Sequence, residues 1–285
     1  MKRKLIVTLF FIVMLFILSG CGGKLAVSDT TVHASEALAK DGSVTLHITG
    51  GKKPYAVKWL DGSTELVREG LPSGRYIITV SDAREEKIVT EVVVEEPTTG
   101  IMTTEDGLEY GIVKIGDQWW MAENFRGTSS PLGTPLHGIS YEDKSETNGL
   151  LYNYEDAVSG APDGWHLATD MDFMRLEYLY GMTEVDAEEV GTQERGTYQG
   201  LLLHPGGETG FDSEFYGWYG GDTPQFEGYG EFVKYWADSG HDDSEGDVYS
   251  RVLVKNRDDI GKFIEEKESK MYVRYVYGPP AKSID

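Results

Sequence analysis

The sequence predicts two folded domains of different class: a small all-β sandwich, then a larger mixed α+β, loop-rich domain. Three observations carry this. A chain of 285 residues suits two domains better than one. Residues 43–95 alternate apolar and polar side chains in short runs divided by Gly, Pro and Asp. Beyond residue 105, a hairpin, a capped helix and a closing strand set are separated by long stretches with little period. A hydrophobic content of 40% and an aromatic content of 12% are enough for real cores. The 35 glycines against 10 prolines point to many turns and short strands.

The formal net charge is −22. Phosphate binding needs clustered Lys and Arg, so nucleic acid is excluded as a partner. A bound cation or a cationic partner is compatible with this charge, as is a plain solvated acidic surface.

The first twenty residues read as a targeting segment. Lys2, Arg3 and Lys4 precede an apolar run from Leu5 to Leu18, too short for a membrane-spanning helix of about 20 residues. Leu18-Ser19-Gly20-Cys21 follows and resembles the lipobox of bacterial lipoproteins, which implies cleavage before Cys21 and its acylation, palmitate included. Cys21 is the only cysteine, so no intramolecular disulfide is available and both domains must hold by packing. Losing residues 1–20 moves the charge from −22 to −25, since three cations go and no acid does. Gly22 and Gly23 rather than Asp after the cysteine imply, by the same resemblance, export to an outer membrane. Its surface and periplasmic faces both stay open. The expected partner is the membrane, through the lipid anchor.

Residues 21–42 are small and polar and read as a tether. In residues 43–96, Val44, Leu46 and Ile48 share one strand face, Val57 and Trp59 the next, and Asp61-Gly62 makes a turn. Tyr76, Ile78 and Val80 alternate again, and Ile88 to Val94 closes the set. Gly50-Gly51, Pro54-Tyr55, Trp59, Asp61-Gly62, Leu71, Gly74, Tyr76, Val80 and Asp82 together resemble the SprB-type repeat of bacterial surface proteins. That module is Ig-like and serves as a spacer, and one copy is present.

Residues 97–104 read as a linker, 105–278 as the second domain and 279–285 as a tail. Ile112 to Ile115, Gly116-Asp117 and Gln118 to Ala122 form a hairpin. Trp119 and Trp120 are neighbours on its return strand, so at most one of them can face a ligand. Tyr154 to Val158 reads as a short helix. Thr169 with Asp172 fits a capping box opening a helix with Phe173, Leu176 and Tyr180 on one stripe, ended by Gly181. Residues 183–247 read as long ordered loops with short strands. Val248 to Val254, Ile260 to Glu265 and Met271 to Tyr277 form a closing meander.

The order of motifs in this half is specific. Glu109-Tyr110, then Val113 through Phe125, then Gly149 to Tyr154 with Ala157, Pro162 to Leu167 with Thr169-Asp170, Gly210-Phe211, Tyr235-Trp236 with Ser239, and Tyr272-Val273-Arg274 resemble the Fibrobacter succinogenes major paralogous domain. The resemblance spans about 170 residues and implies a C-type lectin-like fold, similar also to formylglycine-enzyme-like domains. Ala161 and Tyr275 stand where that family often pairs cysteines, so the disulfide is missing as a unit. Phe173 stands at a usual Trp, and Trp119 at a usual aliphatic. Trp120 is the family's own tryptophan and is expected in the core.

No catalytic residue is assigned. The six histidines lack metal-ligand spacing, and His166 reads as a hydrogen-bonded structural residue. Formylglycine-generating chemistry needs copper-binding or redox cysteines, and residues 105–278 contain none. The binding candidates are Tyr216, Trp218, Tyr219 and Tyr229, aromatic residues set among glycines and acids in a pattern suited to sugar rings. Asp242, Asp243, Glu245 and Asp247 are a candidate calcium set, without the EF-hand order; no other cofactor is expected. The expected function is non-catalytic recognition or adhesion by a cell-envelope lipoprotein, with a glycan or surface protein as partner. Two alternatives stand beside it: an assembly accessory of a surface apparatus, and an uncharacterised enzyme on a formylglycine-enzyme-like fold.

Overall fold

The computed structural model describes residues 23–220, 225–239 and 248–284. Cys21 and the acidic run Asp242, Asp243, Glu245 and Asp247 lie outside them. The described residues are mostly β-sheet, with sixteen strands and five short α-helices, and divide into two compact units that meet between Glu96 and Pro97. Among the described residues no helix is long and apolar enough to cross a membrane.

The first unit holds β1 (Ala26–Val32), β2 (Gly42–Thr49), β3 (Ala56–Trp59), β4 (Val67–Leu71), β5 (Gly74–Ser81) and β6 (Lys87–Val94). They form two three-stranded sheets, ordered β1-β2-β4 and β3-β5-β6. Strand alternation sends Val44 and Leu46 from one sheet, and Val57, Trp59, Ile78, Val80, Val92 and Val94 from the other, into one core. Trp59 is the largest plug, and its indole N–H donates to the Glu65 carbonyl at 2.8 Å. Strand β1 occupies part of the segment expected as a tether. Its seven residues all pair with β2, yet none of their side chains is buried. Only Val27 of this strand touches the core, so a strand held mainly by its backbone ladder leaves no apolar period to read.

The second unit holds β7 (Thr99–Thr103), β8 (Glu109–Ile115), β9 (Gln118–Met121), α1 (Ser145–Asn148), α2 (Tyr154–Ser159), β10 (Trp165–Leu167), α3 (Asp170–Leu179), α4 (Glu184–Glu188) and α5 (Gln199–Leu203). It continues with β11 (Tyr216–Gly220), β12 (Gln225–Tyr229), β13 (Phe232–Ala237), β14 (Val248–Val254), β15 (Gly261–Glu265) and β16 (Tyr275–Tyr277). Two five-stranded sheets result, β10-β16-β9-β8-β7 and β12-β11-β13-β14-β15. The segment expected as linker contributes β7, an edge strand with only Met102 buried. The closing meander is β13-β14-β15. The last strand leaves it and pairs with the opening hairpin, Val276 opposite Trp120 and Tyr277 opposite Trp119. Both tryptophans are buried, Trp120 in the main core against Phe173 and Phe211. The segment expected as a tail also packs: the Ala281 N–H donates to Asp172 Oδ1 at 3.1 Å, and Ile284 lies on the core.

Helix α3 opens with the capping box that the sequence spells. Thr169 Oγ1 accepts from the Asp172 N–H at 3.1 Å, and Asp172 Oδ2 accepts from the Thr169 N–H at 2.9 Å. Gly181, at φ 83°, lets the chain turn away after it. Its inner face carries Glu177, fully buried, which accepts from Arg251 Nε and Arg195 Nη2, each at 2.7 Å. Arg251 and Lys262 each reach Asp170, also at 2.7 Å. Arg251 and Lys262 thus pin α3 onto β14 and β15, and Arg195 ties it to the segment before α5.

Candidate functional site

The signature residues of the second unit meet at one place, the buried Arg274. Its Nε donates to Asn124 Oδ1 at 2.8 Å, and its Nη1 donates to the carbonyls of Met121 and Phe211, each at 2.9 Å. The guanidinium lies 4.5 Å from the Phe211 ring centroid and 5.5 Å from that of Tyr235. Asn124 in turn donates to the Asn148 carbonyl at 2.9 Å and so holds the end of α1. Gly149 follows at φ 80°, where a Cβ would stand 2.5 Å from Asn124 Cβ. Residues far apart in the chain are therefore knotted by one guanidinium with its hydrogen-bond donors aimed at the fold itself.

Above this knot opens a polar cleft of about 100 Å³. Its floor is Asn124, Gly149 and Arg274, and its rim carries Glu123, Glu146, Asp212, Glu214 and Tyr216. Arg126, also in the lining, is engaged: it pairs with Glu123 at 3.4 Å and donates to the Glu109 carbonyl at 2.9 Å. Asp212 sits at φ 48°, and Glu142, beside the site, at φ 47°. Among the described residues these are the second unit's two non-glycine residues in the left-handed region, a conformation that costs of order 1–3 kcal/mol and clusters at functional sites.

A tyrosine ridge borders the cleft. Tyr216 and Tyr229 face each other across β11 and β12, with ring centroids 6.0 Å apart. Tyr141 stacks on Tyr229 at 4.2 Å with an interplanar angle of 18°, so this contact takes a face of each ring. Phe226 meets Tyr141 edge-on at 5.5 Å and Tyr219 at 5.1 Å, which extends the ridge. Lys144 sits 4.9 Å from the Tyr229 centroid and bonds its hydroxyl at 3.4 Å. The hydrogen bond to Tyr229 and the nearby Glu142 hold the Lys144 pKa above its ordinary value. Burial, then the Glu214 carboxylate, push the Tyr216 hydroxyl above its ordinary value.

The structure brings Tyr216, Tyr219 and Tyr229 into this ridge and sets Trp218 apart. Lys234 Nζ lies 3.7 Å from the Trp218 ring, and the indole rests on Gly220, where a Cβ would come within 2.5 Å of it. Phe215, Tyr235 and Trp236, from the same aromatic stretch, are buried. Nothing in the sequence marks Tyr141, Lys144, Glu146, Asp212 or Glu214 as members of one site. They come from loops and short turns without period, and only the glycine-flanked aromatics around them gave a signal.

His166 is held at both ring nitrogens. Its Nδ1 bonds the Gly278 carbonyl and its Nε2 bonds Asp172, each at 2.7 Å, so both ring nitrogens are occupied. Asp172 is fully buried. Burial acts to raise its pKa, but the hydrogen bonds from His166 and Thr169 hold it below the usual carboxylate range. Among the described residues no three His, Cys, Asp or Glu side chains are grouped as a metal site.

Comparison with curated proteins and with solved structures finds no match. The family model of the Fibrobacter succinogenes major domain matches residues 113–277, a span that runs from the end of β8 through β16 and contains the cleft and the Arg274 knot. That is more than half of the chain, which therefore belongs to the Fibrobacter succinogenes major domain family.

Proposed function

We propose that this chain is a cell-envelope lipoprotein whose second unit binds a hydroxyl-rich ligand, a glycan, without transforming it. The observation that carries this reading is the cleft: carboxylates on its rim beside a ridge of tyrosine hydroxyls. Carboxylates accept from sugar hydroxyls, and a tyrosine offers both a donor and an apolar ring edge. Because Tyr141 and Tyr229 stack on each other, recognition here rests on edges and hydroxyls more than on a flat platform. The Arg274 knot supplies rigidity that no disulfide provides, while the rim residues outside the motifs set which ligand is taken.

The anchoring half of the proposal rests on the lipobox-like Leu18 to Cys21. Leu25 is already buried in the first unit, so acylated Cys21 would hold that unit within roughly 15 Å of the lipid surface. The first unit then acts as the Ig-like, SprB-type spacer, and the charge of −25 in the mature chain keeps the body off anionic headgroups. The C-type lectin-like description of the second unit belongs to this same reading.

The test is a glycan array with the mature chain and with Glu146→Gln/Glu214→Gln. The expected result is binding to a defined glycan class, weakened roughly tenfold or more in the double variant. An array silent for the wild-type chain, or binding that the double variant keeps, refutes it. One observation favours the assembly reading as second: Tyr178, Leu179, Val185, Tyr198 and Leu201 expose apolar surface around α3, α4 and α5. Crosslinking in cells that recovers one envelope protein through this surface would support it.

A further inference from the structure

The segment after β9 separates two cavities. Asn124 and Arg126 line the cleft, whereas Phe125 and Ser129 line a second cavity of about 220 Å³. Three walls enclose it: the turn at residues 104–107, the loop at 128–136 and the bend at 160–162. Its floor is the ring of Phe125, held by Tyr110 at 5.8 Å, Tyr152 at 5.5 Å and Tyr275 at 5.0 Å. Tyr275 is itself fixed, donating to the Ala157 carbonyl at 2.8 Å. The loop wall is a tight hairpin: the Ser130 N–H donates to the Thr134 carbonyl, the Gly133 N–H to the Ser130 carbonyl and the Thr134 N–H to Ser130 Oγ. Pro131 and Pro162 stiffen the two sides, and the turn wall is closed by Thr104, whose hydroxyl donates to Asp106 Oδ1 at 2.5 Å.

We propose that this cavity binds the aromatic ring of a cationic amine, either a free arylalkylamine or a tryptophan or tyrosine beside a lysine in a peptide. The ring preference follows from the walls. A dry apolar cavity of about 150 Å³ holds a benzene-sized ring, so this one has room for an indole. Pro131 and Pro162 line it with apolar rings, Phe125 adds the small part of its ring left uncovered, and at Gly133 no side chain projects. The charge preference follows from the rim. Glu105 and Asp106 are the charged residues of the lining, which has no Lys, Arg or His. An ammonium gains a carboxylate partner there, and an anion is desolvated against like charge. The site shares no lining residue with the cleft, so it stands or falls separately from the glycan reading.

The experiment is heteronuclear NMR on the full mature chain with three probes: tryptamine, indole-3-propionate and acetyl-Lys-Trp-amide. Saturable shifts confined to the cavity walls are expected with tryptamine, with indole-3-propionate roughly tenfold or more weaker. A tighter peptide than tryptamine identifies a protein source, and the reverse identifies a free amine. Glu105→Gln, an exposed change that leaves the core intact, narrows the preference for cation over anion at least about threefold. Ser129→Trp fills the mouth and removes binding. No saturable response, equal binding of cation and anion by the wild-type chain, or an unchanged preference in Glu105→Gln overturns the proposal. The last readout decides even where Ser129→Trp fails to fold.

Discussion

The buried charge cluster offers the most quantitative test of how the second unit holds together. Glu177 is fully buried and accepts hydrogen bonds from two fully buried guanidinium groups, Arg195 and Arg251. With Asp170 and Lys262 the cluster carries three cations against two carboxylates. In Glu177→Gln the same three buried cations face Asp170 alone. Breaking a buried pair in this way costs about 3–5 kcal/mol. In a unit of this size, 1 kcal/mol moves the melting temperature by about 2–4 °C, so the expected drop is roughly 6–20 °C. Five of the six tryptophans lie in this unit, so tryptophan emission during urea unfolding reports it selectively. The solvent-facing pair Arg175–Asp117 in the same unit is the control, and Arg175→Ala should cost no more than about 1 kcal/mol. A triple change of Glu177, Arg195 and Arg251 to methionine should recover much of the loss, because the penalty comes from unbalanced buried charge. A Glu177→Gln cost below about 1 kcal/mol would refute the idea that the cluster works by charge balance in a dry interior.

Three further outcomes are expected, two from the geometry and one from the lipobox-like segment. Asp172 has a folded pKa below its unfolded value, as does Asp170, so the stability they contribute is present above about pH 4 and lost as pH falls through the folded values. Asp172→Asn should cost about 2 kcal/mol at neutral pH and flatten the acid limb of stability measured by urea unfolding between pH 2 and 5. Gly217 has φ 75°, and a Cβ there would sit 2.1 Å from the Glu227 carbonyl oxygen. Gly217→Ala should therefore lose at least ~2 kcal/mol and disperse the ring-current shifts of Tyr216 and Tyr229 in NMR. Cys21→Ser should abolish palmitate labelling and move the protein from the detergent phase to the aqueous phase. Continued labelling of that variant would remove the basis for the anchor.

Much of the fold is legible in the sequence. The alternation at Val44 and Leu46, and at Ile78 and Val80, marked strands because each run must hide one face. The capping box at Thr169 was legible because its chemistry is local, two groups three residues apart. Strands β1 and β7 were missed for the opposite reason. They add backbone hydrogen bonds at sheet edges and bury almost no side chains, so nothing in their composition distinguishes them from tether and linker. Helices α4 and α5, five residues each, are too short to show a period.

The sequence by itself determined the division into two units, the family of the second, its aromatic core positions and the glycine-flanked tyrosines near the cleft. Each of these depends on side-chain character or short-range spacing, which a linear string records. Only tertiary structure decided that Arg274 gathers Met121, Asn124 and Phe211 to itself, that Glu146 and Glu214 share a rim, and that Tyr141 stacks on a tyrosine 88 positions away. Those meetings depend on where long aperiodic loops come to rest. Loops are placed by contacts with the whole folded unit, and no local pattern in the chain encodes that placement.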